Sequence, residues 1–308
     1  MTIEPQIFAL TKIIQKLGFS IKKIEQQPVG RHNEMEIYLD PKNDWKNSLG
    51  LSYYSNSMLQ LMVMDSCVGY FLSKHFDTPE TKNEPLSLSK VEQDVMFVGS
   101  VLRHEYIEKL KQKPFKESFM ERILLLQKLG EIRLEGDHIV RVDEKRTSKL
   151  STSKPFSMIN FLKDMGLYLL DTYFVVLMAV QEICNANYVV NWGNLIRELH
   201  NEIKMMHKDS MIPNLQSCFK ETISTALGRF VRLGLLEQKK HTTQSGSKTS
   251  FVSSPISNKQ LIETYYQKLM AAKGITMEEL GVWGERVSKA VEQGLIVHMT
   301  DAYAKAKL

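Results

Sequence analysis

Apolar residues recur every three or four positions over most of the chain, the pattern of helices that bury one face. Thr2–Leu17 puts Ile7, Leu10, Ile13, Ile14 and Leu17 on one side, with Pro5 in the first turn and Gly18 at the stop. Leu88–Lys111 repeats the pattern with Val91, Val95, Val98, Leu102, Tyr106 and Leu110, and Gly193–Met206 with Leu195, Leu199, Ile203 and Met206. Two runs are apolar nearly all round, Met58–Leu72 and Gly166–Ile183, and read as buried helices. Alternation is confined to short stretches: Ser20–Glu25 and Met35–Leu39, joined through Pro28 and Gly30, and two hairpins further on.

The pattern repeats. Val63-Met64-Asp65-Ser66-Cys67-Val68 parallels Leu169-Leu170-Asp171-Thr172-Tyr173-Phe174, each with an Asp-Ser or Asp-Thr pair between apolar residues. At nearly the same distance downstream, each half then makes a helix ending in Leu-Gly (Leu129-Gly130, Leu233-Gly234) and a hairpin. The first hairpin, at 131–143, turns at Gly136-Asp137, and the second, at 235–253, has a tip rich in Ser, Thr and Lys. The expected fold is therefore mainly α, with two similar helical halves, each ending in a helix plus β-hairpin and winged-helix-like. A period of about a hundred residues is the size of one small domain. The polar stretch Asp143–Lys154 is the expected join, giving units 1–148 and 149–308, the second with a C-terminal helical extension.

Composition narrows the classes. With hydrophobic residues at 43%, charged residues at 24%, 16 Gly and 9 Pro in 308 residues, the chain can bury a core and is neither collagenous nor low-complexity. The net charge of +5 is too small to announce a polyanion-binding protein, though it suits contact with an anionic surface. The 3 cysteines, Cys67, Cys184 and Cys218, have no C-x-x-C spacing, so a reducing compartment is expected, without disulfides or a zinc site. Glu4 and the short apolar runs of the first residues do not fit a secretory signal peptide. A spanning helix needs roughly 20 mostly apolar residues, and Asp65 and Asp171 each interrupt their runs, so the expected role is a core helix or one lying against a membrane surface.

Chemistry by local motif is sparse. His138 and Asp143 have the H-x-x-x-x-D spacing of acyltransferases, but in an alternating strand residues five apart face opposite ways, and the pair reads as part of a hairpin. His104-Glu105 and His207-Lys208-Asp209 stand isolated, with no metal-ligand partners at the needed spacing. A helix followed by a basic-tipped hairpin also suits nucleic acid. In the first half that helix offers Glu117, Glu121, Arg122, Gln127 and Lys128, with no basic stripe. The second half offers Lys220, Arg229, Arg232, Lys239, Lys240 and Lys248. Nucleic acid is therefore kept as the alternative partner of a winged-helix-type adaptor, behind a protein partner.

The tract Leu51-Ser52-Tyr53-Tyr54-Ser55-Asn56, followed by Leu59-Gln60-Leu61, resembles the L-S-Y-Y-x-N…L-H-L-F tract C-terminal to the catalytic domain in glycerol-3-phosphate and dihydroxyacetone-phosphate acyltransferases. Leu169–Val176 resembles a later tract of the same region, while Gln60 and Met62 depart from the histidine and phenylalanine common there. The resemblance implies a non-catalytic C-terminal domain of phospholipid or ether-lipid biosynthesis. It would pack against an acyltransferase catalytic domain, in cis or in trans, and a membrane surface. The family's H-x-x-x-x-D pair, phosphate-holding arginine and F-P-E-G segment belong to that other domain and have no counterparts here. The resemblance thus implies no catalytic residue, metal or bound cofactor for this chain, acyl-CoA being the co-substrate of the parent enzymes. The implied location is peripheral, at a mitochondrial outer, peroxisomal or bacterial inner membrane, on the reducing cytoplasmic side. The family-tract interface residues it singles out are Tyr53, Tyr54, Asn56, Asp65, Asp171 and Tyr173. Tyr53, Tyr54 and Asn56 are read either as anchoring the following helix where two domains meet or, for the tyrosines, as plain core.

Overall fold

The computed structural model describes residues 19–29, 32–41, 63–79, 81, 84–103, 105, 115–142, 157–242 and 248–298. The chain divides into two compact units, Met1–Gln60 and Leu61–Leu308. The first contains an antiparallel hairpin of β1 (Phe19–Val29) and β2 (His32–Pro41), paired from Phe19↔Pro41 to Val29↔His32 with an irregularity between Ile21 and Lys23. The alternating stretches expected there are thus one long hairpin. The Thr2–Leu17 helix and the Tyr53–Asn56 tract lie outside the described residues.

The second unit is mainly helical. Its first elements are α1 (residues 63–77), β3 (Leu86–Ser87), α2 (Leu88–Val101), α3 (Phe115–Lys128), β4 (Ile132–Glu135) and β5 (His138–Arg141). The three strands form an antiparallel sheet ordered β3-β5-β4. After them come α4 (Met158–Asn185), β6 (Tyr188–Asn191), α5 (Trp192–Lys208), a 3-10 turn (Leu215–Cys218), α6 (Lys220–Arg232), β7 (Glu237–Thr242) and β8 (Lys248–Ser253). The chain then adds α7 (Lys259–Lys273), α8 (Met277–Gly294) and β9 (Leu295–His298), which completes a sheet ordered β7-β8-β6-β9.

Helix α4 is the centre of this unit. Every residue from Tyr168 to Val180 is buried, because an apolar surface all round can be satisfied only by neighbours on every side. Helices α6, α7 and α8 pack around it, with Phe174 stacked on Tyr266 (centroids 5.6 Å) and beside Trp283 (6.1 Å). Helix α4 is long and apolar enough to cross a membrane by length and composition, yet 83% of its apolar window is covered by the chain itself. Its start is set by Ser157, whose hydroxyl accepts from the Asn160 N–H, and by the Glu131 carboxylate, which accepts from the Met158 N–H at 2.7 Å. Against α4 lies α1, so close that a Cβ on Gly69 would come within 2.6 Å of Leu162 Cβ, and one on Gly166 within 2.5 Å of Ser66 Cβ.

The two halves of this unit run through the same order of elements: long helix, single strand, helix, helix, hairpin. In each, the single strand pairs with the returning strand of the hairpin, Leu86↔Ile139 in one and Val190↔Val252 in the other. The helix before each hairpin ends alike. Gly130 (φ +77) and Gly234 (φ +75) adopt the left-handed conformation, and the next N–H, from Glu131 or Leu235, reaches back to the carbonyl of Leu126 or Phe230. This is the glycine-terminated stop that the two Leu-Gly pairs predicted. The join expected near 148 lies outside the described residues, and the helices on either side of it belong to one compact unit.

Strands β3, β6 and β9 are not anticipated by the pattern. Each has two to four residues and pairs with a strand distant in sequence, so no local alternation reveals it. Helix α2 stops earlier than its apolar spacing suggested: the Leu102 N–H closes the last turn on Val98 O at 2.9 Å, and the Glu105 N–H turns back to Leu102 O.

Candidate functional site

Charged groups inside the second unit gather where its two halves meet. On α4, Asp171 has no exposed surface and is ion-paired with Lys273 at the end of α7, 2.5 Å away. Burial pushes its carboxyl above the usual range, and the Lys273 ammonium pulls in the other direction. Lys273 also stands over the Trp283 ring, 5.7 Å from its centroid. The same end of α7 is held from α1: Tyr70 Oη shares its proton between Ala272 O and Lys273 O, each at 3.0 Å, and Lys74 Nζ donates to Ala271 O and Ala272 O. A cation on the last carbonyls of a helix meets both their unfilled acceptors and the negative end of the helix dipole.

The same turn of α4 makes a second tie. Tyr173 Oη donates to Glu105 Oε1 at 2.9 Å, linking α4 to the end of α2, while its ring packs edge-on against Phe230 of α6. Burial raises the Glu105 carboxyl to about 7, opposed by the Tyr173 hydrogen bond. Arg229 of α6 donates to Ser100 O at 2.7 Å. Thr172 uses its hydroxyl on Tyr168 O and Ser217 O, so the Asp-Thr pair serves two separate buried junctions.

In the first half, Asp65 meets Arg122 of α3, Oδ1 to Nε at 2.9 Å, with burial raising the carboxyl and the guanidinium opposing. Further along α1, Ser73 donates to Asp77 and accepts from Lys163 of α4, and Asp77 accepts from Arg141 of β5 at 2.9 Å. Of the residues singled out by sequence, Asp171 and Tyr173 lie two positions apart on α4, and Asp65 lies on α1. Tyr53, Tyr54 and Asn56 are outside the described residues. Sequence reasoning missed Glu105, Lys273, Lys74, Ser73 and Asp77 as partners. Each sits in an ordinary amphipathic stretch, and only Asp65 and Asp171 carried a local signal, a charge inside an apolar run.

The motifs weighed for chemistry are placed as follows. His138 is exposed on β5, and Asp143 lies outside the described residues. His207 Nδ1 lies 2.8 Å from Ile212 O, and Asp209 is paired with Arg286 of α8 at 2.6 Å. The three cysteines are buried and free, and burial pushes the Cys67 thiol up to about 12, far from a thiolate at neutral pH. Among the described residues no cluster of three His, Cys, Asp or Glu is placed to hold a metal ion. Of the basic residues read on the two hairpin-preceding helices, Arg122 is engaged by Asp65 and Arg229 by Ser100. Lys220, Arg232, Lys239 and Lys240 are exposed.

The described structure is mainly helical, and its buried charged side chains tie helix to helix. The chain belongs to the family of the glycerol-3-phosphate acyltransferase C-terminal region, which matches residues 10–239. No curated protein matches the chain.

Proposed function

We propose that this chain acts as the non-catalytic C-terminal region of a glycerol-3-phosphate or dihydroxyacetone-phosphate acyltransferase. It packs against the domain that transfers the acyl group from acyl-CoA and helps seat that domain on a membrane surface. The match to the family over residues 10–239 carries this reading. The repeated element order and strand pairing support the finer reading of two winged-helix-like halves, residues 1–148 and 149–308 each containing one, a module used for protein docking as well as for nucleic acid. Because Asp171 and Tyr173 are buried within the chain, they serve docking by holding the helices that bear the outer surface. The membrane contact is peripheral in this reading, since α4 is consumed by the core.

The test is acyl transfer from acyl-CoA to glycerol-3-phosphate by the purified chain, alone and mixed with a separately expressed acyltransferase domain of the family, with binding measured by calorimetry. The expected result is no turnover alone and saturable binding to that domain. Turnover by the chain alone, or no binding, refutes the reading. The exposed Lys220, Arg232, Lys239 and Lys240 are the one observation favouring the nucleic-acid alternative. Duplex binding that weakens steeply with salt and is lost on neutralising these four would support it.

A further inference from the structure

The two halves place a helix at the same point, directly after the single strand: α2 in the first half and α5 in the second. Counted from Leu88 and Trp192, where these helices begin, the buried Val91, Val95, Gly99 and Leu102 fall at the places of the buried Leu195, Leu199, Ile203 and Met206. By the same count Gln93, Phe97 and Ser100 answer to Arg197, Asn201 and Lys204. In the first half this stripe is a contact between helices. The Phe97 ring lies 5.8 Å from that of Tyr265 on α7, Lys268 Nζ stands 5.1 Å over it, and Ser100 O accepts from Arg229 of α6. On α5 the corresponding Arg197, Asn201 and Lys204 are exposed, and the exposed Lys208 continues the stripe one turn on.

The α5 stripe is cationic because the acids around it are already engaged. Glu198 accepts from Arg197 at 2.7 Å, and Glu202 and Asp209 both take Arg286 of α8. Among the described residues no carboxylate is paired with Lys204 or Lys208. An occupant of this face must therefore bring negative charge. Lipid is the poorer fit: a helix that lies in a membrane surface needs its apolar side free, and α5 spends Leu195, Leu199, Ile203 and Met206 on the core. Nucleic acid fits no better, since so few cations neutralise too few phosphates to hold a duplex against salt. The corresponding stripe on α2 meets the side chains of other helices, which is the precedent for α5. Resting on the reading that this chain packs against an acyltransferase domain, we infer that Arg197, Asn201, Lys204 and Lys208 form the surface on which an acidic helix of that domain docks.

Calorimetric titration of the full chain with the separately expressed acyltransferase domain tests this, at roughly 100 mM salt where ion pairs are only partly screened. Lys204→Glu/Lys208→Glu should raise the dissociation constant by about thirtyfold, Lys204→Gln/Lys208→Gln by about fivefold, and Lys204→Arg/Lys208→Arg by no more than about twofold. The same reversal on β7, Lys239→Glu/Lys240→Glu, changes the net charge equally and should leave the constant within about threefold of the parent, because the effect belongs to the contact and not to the overall field. All changed residues are exposed, and circular dichroism checks that each variant is folded. No binding by the parent chain refutes the packing reading and this surface with it. Binding that the α5 reversal leaves unchanged, or that the β7 reversal weakens as much, overturns the surface alone. So does a parent chain that binds vesicles of about 20% anionic phospholipid, loses them on the α5 reversal and keeps its affinity for the domain, which gives the stripe to the membrane.

Discussion

At the scale of single residues, the buried Asp171–Lys273 pair is where the largest effects are expected. A carboxylate with no exposed surface is tolerable only while its counter-ion is present, so removing one partner strands a charge in the core. Lys273→Met alone should lower unfolding stability by about 3–5 kcal/mol, and adding Asp171→Leu should recover much of that loss, read by denaturant titration. Equal losses in the single and double variants would contradict the pairing. Glu105 gives a pH signature. Its carboxyl is raised from 4.5 to about 7, so its contribution to stability is fully present below pH 4.5 and is lost as pH rises through 7. Glu105→Gln should therefore flatten the fall in stability over that window relative to the parent chain. An unchanged pH profile would show that Glu105 titrates normally. The sequence flagged Asp171, because a charge inside an apolar run must be compensated, but could not name Lys273. That partner lies three helices further on and is delivered by the packing of α7 against α4.

Among the elements, the crossing of α1 and α4 depends on absent side chains. Gly166→Ala would place its Cβ 2.5 Å from Ser66 Cβ and force the helices apart, at a cost of about 1–3 kcal/mol or more. Gly281→Ala on α8, where nothing stands within 4 Å, should instead stabilise by about 0.5–1 kcal/mol through helix propensity alone. Thermal unfolding of the two variants in opposite directions is the check, and a neutral Gly166→Ala would mean that the crossing is looser than described. Helix existence was legible from periodicity, as with α5, whose buried Leu195, Leu199, Ile203 and Met206 are the predicted face. Both Leu-Gly helix stops were legible too, because only glycine takes that conformation without strain. Strands β3, β6 and β9 were not, since what makes a two- to four-residue segment a strand is the partner it meets.

At the scale of the whole molecule, the two halves of the second unit are held by the α1–α4 crossing and by the Tyr173–Glu105, Arg229–Ser100 and Lys74–Ala272 contacts. Cutting the chain at a protease site inserted at the 148–149 join should leave two fragments that co-elute under native conditions and separate only in denaturant. Fragments that part without denaturant would show that the halves are independent. The sequence by itself determined the class of the fold, the repeat within it and the family. Those properties follow from local periodicity, from turn chemistry and from tracts of contiguous residues. It also marked α4 as a helix that must be covered on all sides, though not what covers it. Only the tertiary structure decided that the cover is the chain's own α1, α6, α7 and α8 and how the buried charges are paired. Burial and ion pairing depend on which distant surfaces meet, and that choice is made by the packing of the whole unit, not by any one segment.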